Sequence, residues 1–233
     1  GALGIFLFLL ILFFSLMTPH FFSTINFYSI IGNLPAMAIL CLGLTFVVLV
    51  GDLDLSLGSI LGITAVLAVF FFKVMGFPLW LNLLSCVFIG GCFGALNGII
   101  VTKIGINSII TTLGTMALIR GLTYWIAMDV EAMEVGRITD PAFLNFGRYY
   151  FPEKYRLIPI TLVYIIVLYG ISALFLNHTS FGRQIYAVGS NEATARLAGI
   201  NVKRVKFVCY ILAGMLSAFG GLVLVAQLGL EFY

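Results

Sequence analysis

The sequence predicts an all-α, polytopic transmembrane helical bundle of about seven spans. Three observations carry that prediction. Hydrophobic residues make up 62% of the 233 residues and charged residues only 9%. Apolar runs of about 17 to 24 residues recur, long enough to cross a hydrocarbon core of about 30 Å. The ten-residue alternating strands of an outer-membrane barrel do not occur. The net charge of +3 is spread over loops and gives no sign of a nucleic-acid partner.

The runs follow in order. Ala2–Met17 opens the chain without a starting Met or a basic n-region. Ser29–Val50 is parted from Leu55–Phe72 by Gly51-Asp52-Leu53-Asp54. Gly51 permits a break, and Asp54 is placed to cap the next helix near Ser56 and Leu57. Leu79–Thr102 carries Gly90-x-x-x-Gly94-x-x-x-Gly98, a small-residue stripe that predicts close helix packing in lipid; Gly58-x-x-x-Gly62 predicts the same for the third run. Ser108–Met128 contains Arg120, the one basic residue well inside a run. An intramembrane charge costs at least about 2.5 kcal/mol, so Arg120 either snorkels to an interface, pins neighbouring helices or lines a wet path. The loop Asp129–Arg156 follows, then Leu157–Leu176 and Phe207–Leu228. All four cysteines (Cys41, Cys86, Cys92, Cys209) fall inside runs, in no zinc spacing, and read as helix packing. No catalytic constellation or phosphate-binding G-x-x-x-x-G-K-[ST] loop is present, so the chain does not read as an enzyme.

Between the last two runs lies a polar island, Asn177–Lys206, which holds Arg183, Arg196, Lys203, Arg204 and Lys206. Within it Asn191 is a good N-cap, Glu192 suits the first-turn dipole and Gly199 can close a short helix in the left-handed conformation. Glu192 and Arg196 stand four apart; Ala193, Leu197 and Ile200 form a small apolar face. A helix this short does not persist alone in water and needs a partner surface, whether lipid headgroups or another protein. Alternation of spans puts the island and Lys103 on one side of the bilayer, Lys73 and Asp129–Arg156 on the other. The basic residues divide almost evenly, so positive charge only nominally puts the island in the cytoplasm.

Several long segments resemble, in one order, the permease subunits of ribose/galactose-type ABC sugar importers, within the branched-chain amino-acid/ribose permease superfamily. They are GDLDLSLGSILG (Gly51–Gly62), GALNGIIVTKIGINSIITTLGTMALIRGLT (Gly94–Thr123), GRQIYAVGSNEATARLAGINVKRVK (Gly182–Lys206) and GGLVLVAQLG (Gly220–Gly229). The resemblance covers nearly the whole chain as a single permease domain (1–233), which from its start at Gly1 inside an apolar run and its stop just after the seventh run is expected to be shortened at both ends. It departs at Asp52, where the family commonly has Gly, and at Asn107-Ser108, where a Pro-containing segment is usual.

The resemblance implies a multi-pass subunit of a bacterial or archaeal plasma membrane. A second permease subunit, ABC ATPase subunits that hold ATP and magnesium, and an extracytoplasmic sugar-binding protein are its implied partners; no cofactor or metal belongs to this chain. Residues 177–206 become a cytoplasmic coupling loop in which Asn191, Glu192, Ala193, Thr194, Arg196, Leu197 and Gly199 meet the ATPase. Residues 129–156 become an external loop that docks the binding protein through Glu131, Glu134, Arg137 and Arg148. Asp52, Asp54, Ser56, Asn97, Thr112 and Arg120 are the candidates for the substrate path. At the Gly51–Asp54 break a plain cytoplasmic turn and a discontinuous, path-lining helix both stay open. The expected function is inward transport of a ribose-like monosaccharide by alternating access. Nucleoside or branched-chain amino-acid permeases are rivals within the superfamily; a secondary transporter and a membrane scaffold are rivals outside it.

Overall fold

A computed structural model describes residues 1–132, 138, 140–151 and 158–228. The chain divides into two compact units, Gly1–Leu34 and Pro35–Tyr233. In the first, α1 (Ala2–Met17) is apolar on every side and buries none of its residues. Ser23 Oγ accepts the Asn26 backbone N–H (3.2 Å) at the start of α2 (Thr24–Leu49), which carries Pro35 within it.

In the second unit each apolar run of the sequence is mainly helix, although the run from Leu157 enters its helix only at Ile160, after the short strand Ile158–Pro159. After α2 come α3 (Leu57–Val69), α4 (Leu79–Ile99), α5 (Ser108–Ala132), α6 (Pro141–Arg148), α7 (Ile160–His178), α8 (Ser180–Ser190), α9 (Glu192–Leu197) and α10 (Val202–Leu228). Helices α3 and α4 each end in a π-turn, Phe70–Val74 and Ile100–Ile104, which carries the span out to Lys73 and Lys103. With these turns counted, five helices among the described residues are long and apolar enough to cross a membrane; Ala2–Met17 and Leu34–Leu49 are shorter apolar helices. A two-residue antiparallel pair, β1 (Tyr150–Phe151) with β2 (Ile158–Pro159), sets Tyr150 opposite Pro159.

Helix α10 is the axis of this unit. It packs most extensively on α4 and α3, and further on α6 and α8. Its contact with α4 is a backbone seam. A Cβ on Gly94 would overlap the carbonyl oxygen of Tyr210, and one on Gly214 the carbonyl of Gly90. Lipid tails are as apolar as leucine, so no hydrophobic force drives such helices together; close van der Waals approach must do it, and only small residues allow it. The stripe on α4 therefore packs as its spacing predicts. The companion expectation for Gly58 and Gly62 is corrected: a Cβ on either meets nothing within 4 Å. Helix α3 is instead approached by Gly221 of α10, against the Leu61 carbonyl and the Thr64 hydroxyl. The cysteines also divide, Cys86 and Cys209 being buried while Cys41 and Cys92 are exposed.

Two stretches that read as loop are partly helix. Asp140 caps α6 by accepting from the N–H groups of Ala142 (2.8 Å) and Phe143 (3.1 Å), and Pro141 occupies the first helical position. Phe143 is buried against Val66, Val69 and Leu222, so α6 closes one end of the α3–α10 core. In the polar island, Thr179 Oγ1 accepts the Gly182 N–H (2.9 Å) and starts α8, which buries Ile185 and Val188 against Val50, Leu176 and Val205. Asn201 Oδ1 accepts the Arg204 N–H (3.0 Å), so α10 begins before the apolar run does and takes up Lys203, Arg204 and Lys206.

The seam gives a direct test. Gly94→Ala and Gly214→Ala should each force α4 from α10, a cost of about 1–3 kcal/mol, and lower the thermal midpoint of the detergent-solubilised protein. Gly58→Ala and Gly62→Ala should leave it unchanged. Equal behaviour of the two sets would show that the seam does not fix helix spacing.

Candidate functional site

The turn Val50–Ser56 is the point where four of the six path candidates meet, Asp52, Asp54, Ser56 and Asn97. Gly51 takes φ 82°, a left-handed conformation that side chains resist, and the Asp52 N–H returns to the Val47 carbonyl at 3.2 Å. Asp54 then turns inward and is almost fully buried. Its Oδ1 accepts the Ser56 N–H (2.8 Å) and the Ser56 hydroxyl (2.6 Å). Asn97 of α4 donates from Nδ2 to Ser56 Oγ (2.8 Å) and, longer, to Asp54 Oδ2 (3.4 Å). The N-cap position of α3 belongs to Ser56, so Asp54 is not the cap itself and braces the turn from two residues before it. Burial pushes the Asp54 carboxyl above its ordinary value, and the bonds from Ser56 and Asn97 oppose that rise.

Asp52 faces a different neighbour. Its Oδ1 lies 3.0 Å from Lys206 Nζ and its Oδ2 accepts from the Tyr210 hydroxyl at 3.4 Å. Lys206 and Tyr210 stand one helical turn apart on α10 and so present side by side to the turn. Lys206 Nζ is paired as well with Glu192 of α9, which also holds Arg196 at 3.3 Å. From α5, Ser108 Oγ accepts the Leu53 N–H at 3.4 Å. The turn, the start of α5, α9 and the start of α10 are thus gathered at one end of the bundle.

Helix α9 has the caps its sequence calls for. Asn191 Oδ1 accepts the Thr194 N–H at 3.0 Å. At the other end the N–H groups of Gly199 and Ile200 bond the carbonyls of Arg196 and Ala195, both at 3.0 Å, with Gly199 at φ 78°. That is a Schellman closure. Its inward residue is Ala195, which the sequence did not single out. Ala193, Thr194 and Arg196 are exposed, and Leu197 is 91% exposed.

The remaining candidates lie apart from the turn cluster. Thr112 is buried, but its hydroxyl is used on its own helix, to the Ser108 carbonyl at 2.8 Å. Arg120 is exposed on α5 and has no hydrogen-bond or ion-pair partner among the described residues, so it does not pin helices within this unit. At the opposite end, Arg148 Nε donates to the Gln227 carbonyl at 2.7 Å and ties α6 to α10. Glu134, Arg137 and the Glu131 side chain lie outside the described residues. Sequence reasoning missed Lys206, counted only among the basic residues of the polar island, and Tyr210, which lies unremarked inside the last apolar run. Their four-residue spacing becomes a signal only once α10 is known to start at Val202. Among the described residues no cluster of His, Cys, Asp and Glu could hold a metal ion.

Residues 26–232 match the family described as branched-chain amino acid transport system / permease component. The chain belongs to that permease family. Its relatives include the ribose import permease of Haemophilus influenzae, 34% identical over 95% of this chain and 67% of that protein. The ribose import permease of Bacillus subtilis is 36% identical over the same shares. The L-arabinose transport system permease of Escherichia coli is 32% identical over 92% of this chain and 62% of its own length. The chain thus spans about two thirds of the relatives it matches. No solved structure matches it. Permease relatives of this kind and the long apolar helices make this a multi-pass membrane protein.

The Asp54 cluster predicts a pH signature for this permease. A carboxyl whose value is raised on folding holds its proton more tightly in the native state. The stability it contributes is complete below the unfolded value and is lost as pH rises through the folded one. Asp54→Asn keeps an acceptor for Ser56 and should flatten that dependence without lowering the thermal midpoint at neutral pH. Asp54→Ala strands the buried Ser56 donors, leaves Asn97 only its bond to Ser56, and should cost about 1–3 kcal/mol. Thermal unfolding of both variants across the acid range checks it; an Asn variant with undiminished pH dependence would refute the assignment.

Proposed function

We propose that this chain is the permease subunit of an ABC importer and carries a monosaccharide, ribose-like or closely related, into the cell by alternating access. The observation that carries the reading is α9. Six helical residues cannot hold a helix alone, yet here they are capped at both ends, fixed to the bundle through Ala195 and Glu192, and turn Leu197 outward, 91% exposed. A rigid short helix with one bare leucine at its tip fits a groove in a second protein, which in this reading is the ATPase subunit that holds ATP and magnesium. The sugar reading draws on the relatives named above, two of which are ribose and one L-arabinose permeases.

In this proposal the α9 end faces the cytoplasm of a bacterial or archaeal cell, and the α6 end faces a sugar-binding protein. A second permease subunit completes the path and covers the exposed Arg120 face of α5. The turn cluster lies at the cytoplasmic end, where Asp54, Ser56 and Asn97 offer hydroxyl-matching groups at the exit of the path. Glu131, Glu134 and Arg137 remain the proposed docking charges. Arg148 is the weaker choice for such a test, since its reversal also breaks the bond to Gln227.

Uptake by the complete complex in proteoliposomes tests the substrate. We expect accumulation of a labelled pentose that requires both ATP and the binding protein, and none of leucine. Leucine uptake, or pentose uptake without ATP, would overturn the reading. The docking of α9 is tested separately. Thr194→Cys should crosslink to the ATPase subunit, and Leu197→Asp should weaken the association at least about tenfold, equivalent to about 1.4 kcal/mol. Labelling of Thr194→Cys from outside intact cells would place α9 on the wrong side.

A further inference from the structure

Lys206 stands where three separately motivated features meet. Its ammonium lies 3.0 Å from Asp52 of the turn and is paired with Glu192 of α9, while its backbone belongs to α10. Among the described residues no other side chain is ion-paired to both the turn and α9. The environment is graded: side-chain exposure is 11% at Asp52, 13% at Lys206 and 41% at Glu192. One carboxylate is therefore shielded by the protein, and the other is open to whatever meets α9.

We propose that Lys206 is a positioning residue that transmits displacement of α9 to the Val50–Ser56 turn. The inference rests on the proposed docking of α9 against an ATPase subunit. An ammonium has three donors and one charge, and two carboxylates compete for it. A partner that draws Glu192 away leaves the charge wholly to Asp52; a partner that presses α9 inward shares it again. Asp52 cannot follow freely, because the Tyr210 hydroxyl holds its other oxygen. The change is delivered to the turn, which is bonded onward to α5 through Leu53 and Ser108 and to α4 through Ser56 and Asn97. Movement at a surface helix six residues long thus reaches the ends of two membrane-spanning helices through four polar contacts.

The test follows two spin labels in the complete complex, isolated by a tag on this chain, with the exposed Cys41 and Cys92 changed to Ser. One label is at Thr194→Cys on α9 and the other at Leu53→Cys on the turn. Each is measured in turn against a reference label at Lys73→Cys at the opposite end, with and without ATP and vanadate. We expect both distances to shift in the otherwise unaltered complex. With Asp52→Asn and Lys206→Met combined, the Thr194 shift should persist and the Leu53 shift should be lost; Lys206→Arg should retain both. Removing both charges strands no buried one, since Glu192 stays partly exposed and keeps Arg196, so the double variant is expected to assemble. A Leu53 shift that survives the double variant would overturn the relay, and so would a Thr194 shift lost with it, which would make Lys206 merely part of the α9 fold. If the unaltered complex shows no shift at Thr194, or holds no ATP-hydrolysing subunit, the reading of α9 fails and the relay with it.

Discussion

The approach of α4 to α10, backbone against backbone, is the constraint on which the rest of this unit depends. Hydrocarbon surroundings supply no hydrophobic force between helices, so geometry must come from atoms that touch. Gly94 lets the Tyr210 carbonyl come close, and Gly90 and Gly214 do the same one turn on. That register decides what happens at the membrane end. One turn beyond Gly94 on α4 is Asn97; one turn before Tyr210 on α10 is Lys206. With α4 and α10 locked, Asn97 is delivered to Asp54 and Lys206 to Asp52. The polar site is thus a consequence of an apolar seam.

The two acids of the turn meet the cost of burial in different ways. Asp52 keeps a formal partner, and its charge is balanced by the Lys206 ammonium. Asp54 has no cation partner among the described residues and relies on neutral donors from Ser56 and Asn97. Neutral hydrogen bonds offset less of the desolvation than a paired cation does, which is why burial dominates at Asp54. Arg120 shows the opposite extreme. It is exposed on α5 with no hydrogen-bond or ion-pair partner among the described residues, a position tolerable in a membrane only against water or another protein.

Much of this was legible in the sequence, for reasons that differ by element. Spans are written as unbroken apolar runs because every backbone group in lipid must bond within its own helix. The Gly90–Gly94–Gly98 stripe could be read because spacing of four recurs on one helix face. The same spacing at Gly58 and Gly62 misled, since a small residue permits close approach without supplying a neighbour. The α9 caps were readable because they are local, three residues apart at one end and a left-handed glycine at the other. Helix α8 was not read, because its buried positions, Ile185 and Val188, are few and sit among polar residues. Lys206 was hidden by a boundary: the apolar run starts at Phe207, whereas the helix starts at Val202 under the Asn201 cap. Which acid meets which base across 154 residues, as Asp52 and Lys206 do, is a tertiary fact with no local signature.

The island then explains itself as one mechanical piece. A six-residue helix has almost no stability of its own, so the direction of its outer face must be set by its inner contacts. Ala195 seats it on the core that Val50, Ile185, Val202 and Val205 share, and Glu192 ties its first turn to Lys206. The Schellman closure at Gly199 and Ile200 fixes its far end just before α10 begins. Held at both ends and at its middle, α9 takes its orientation from α8, α10 and the turn at Val50. Leu197 therefore points outward because the inner contacts leave it no other face, and the helix presents that leucine without any stability of its own.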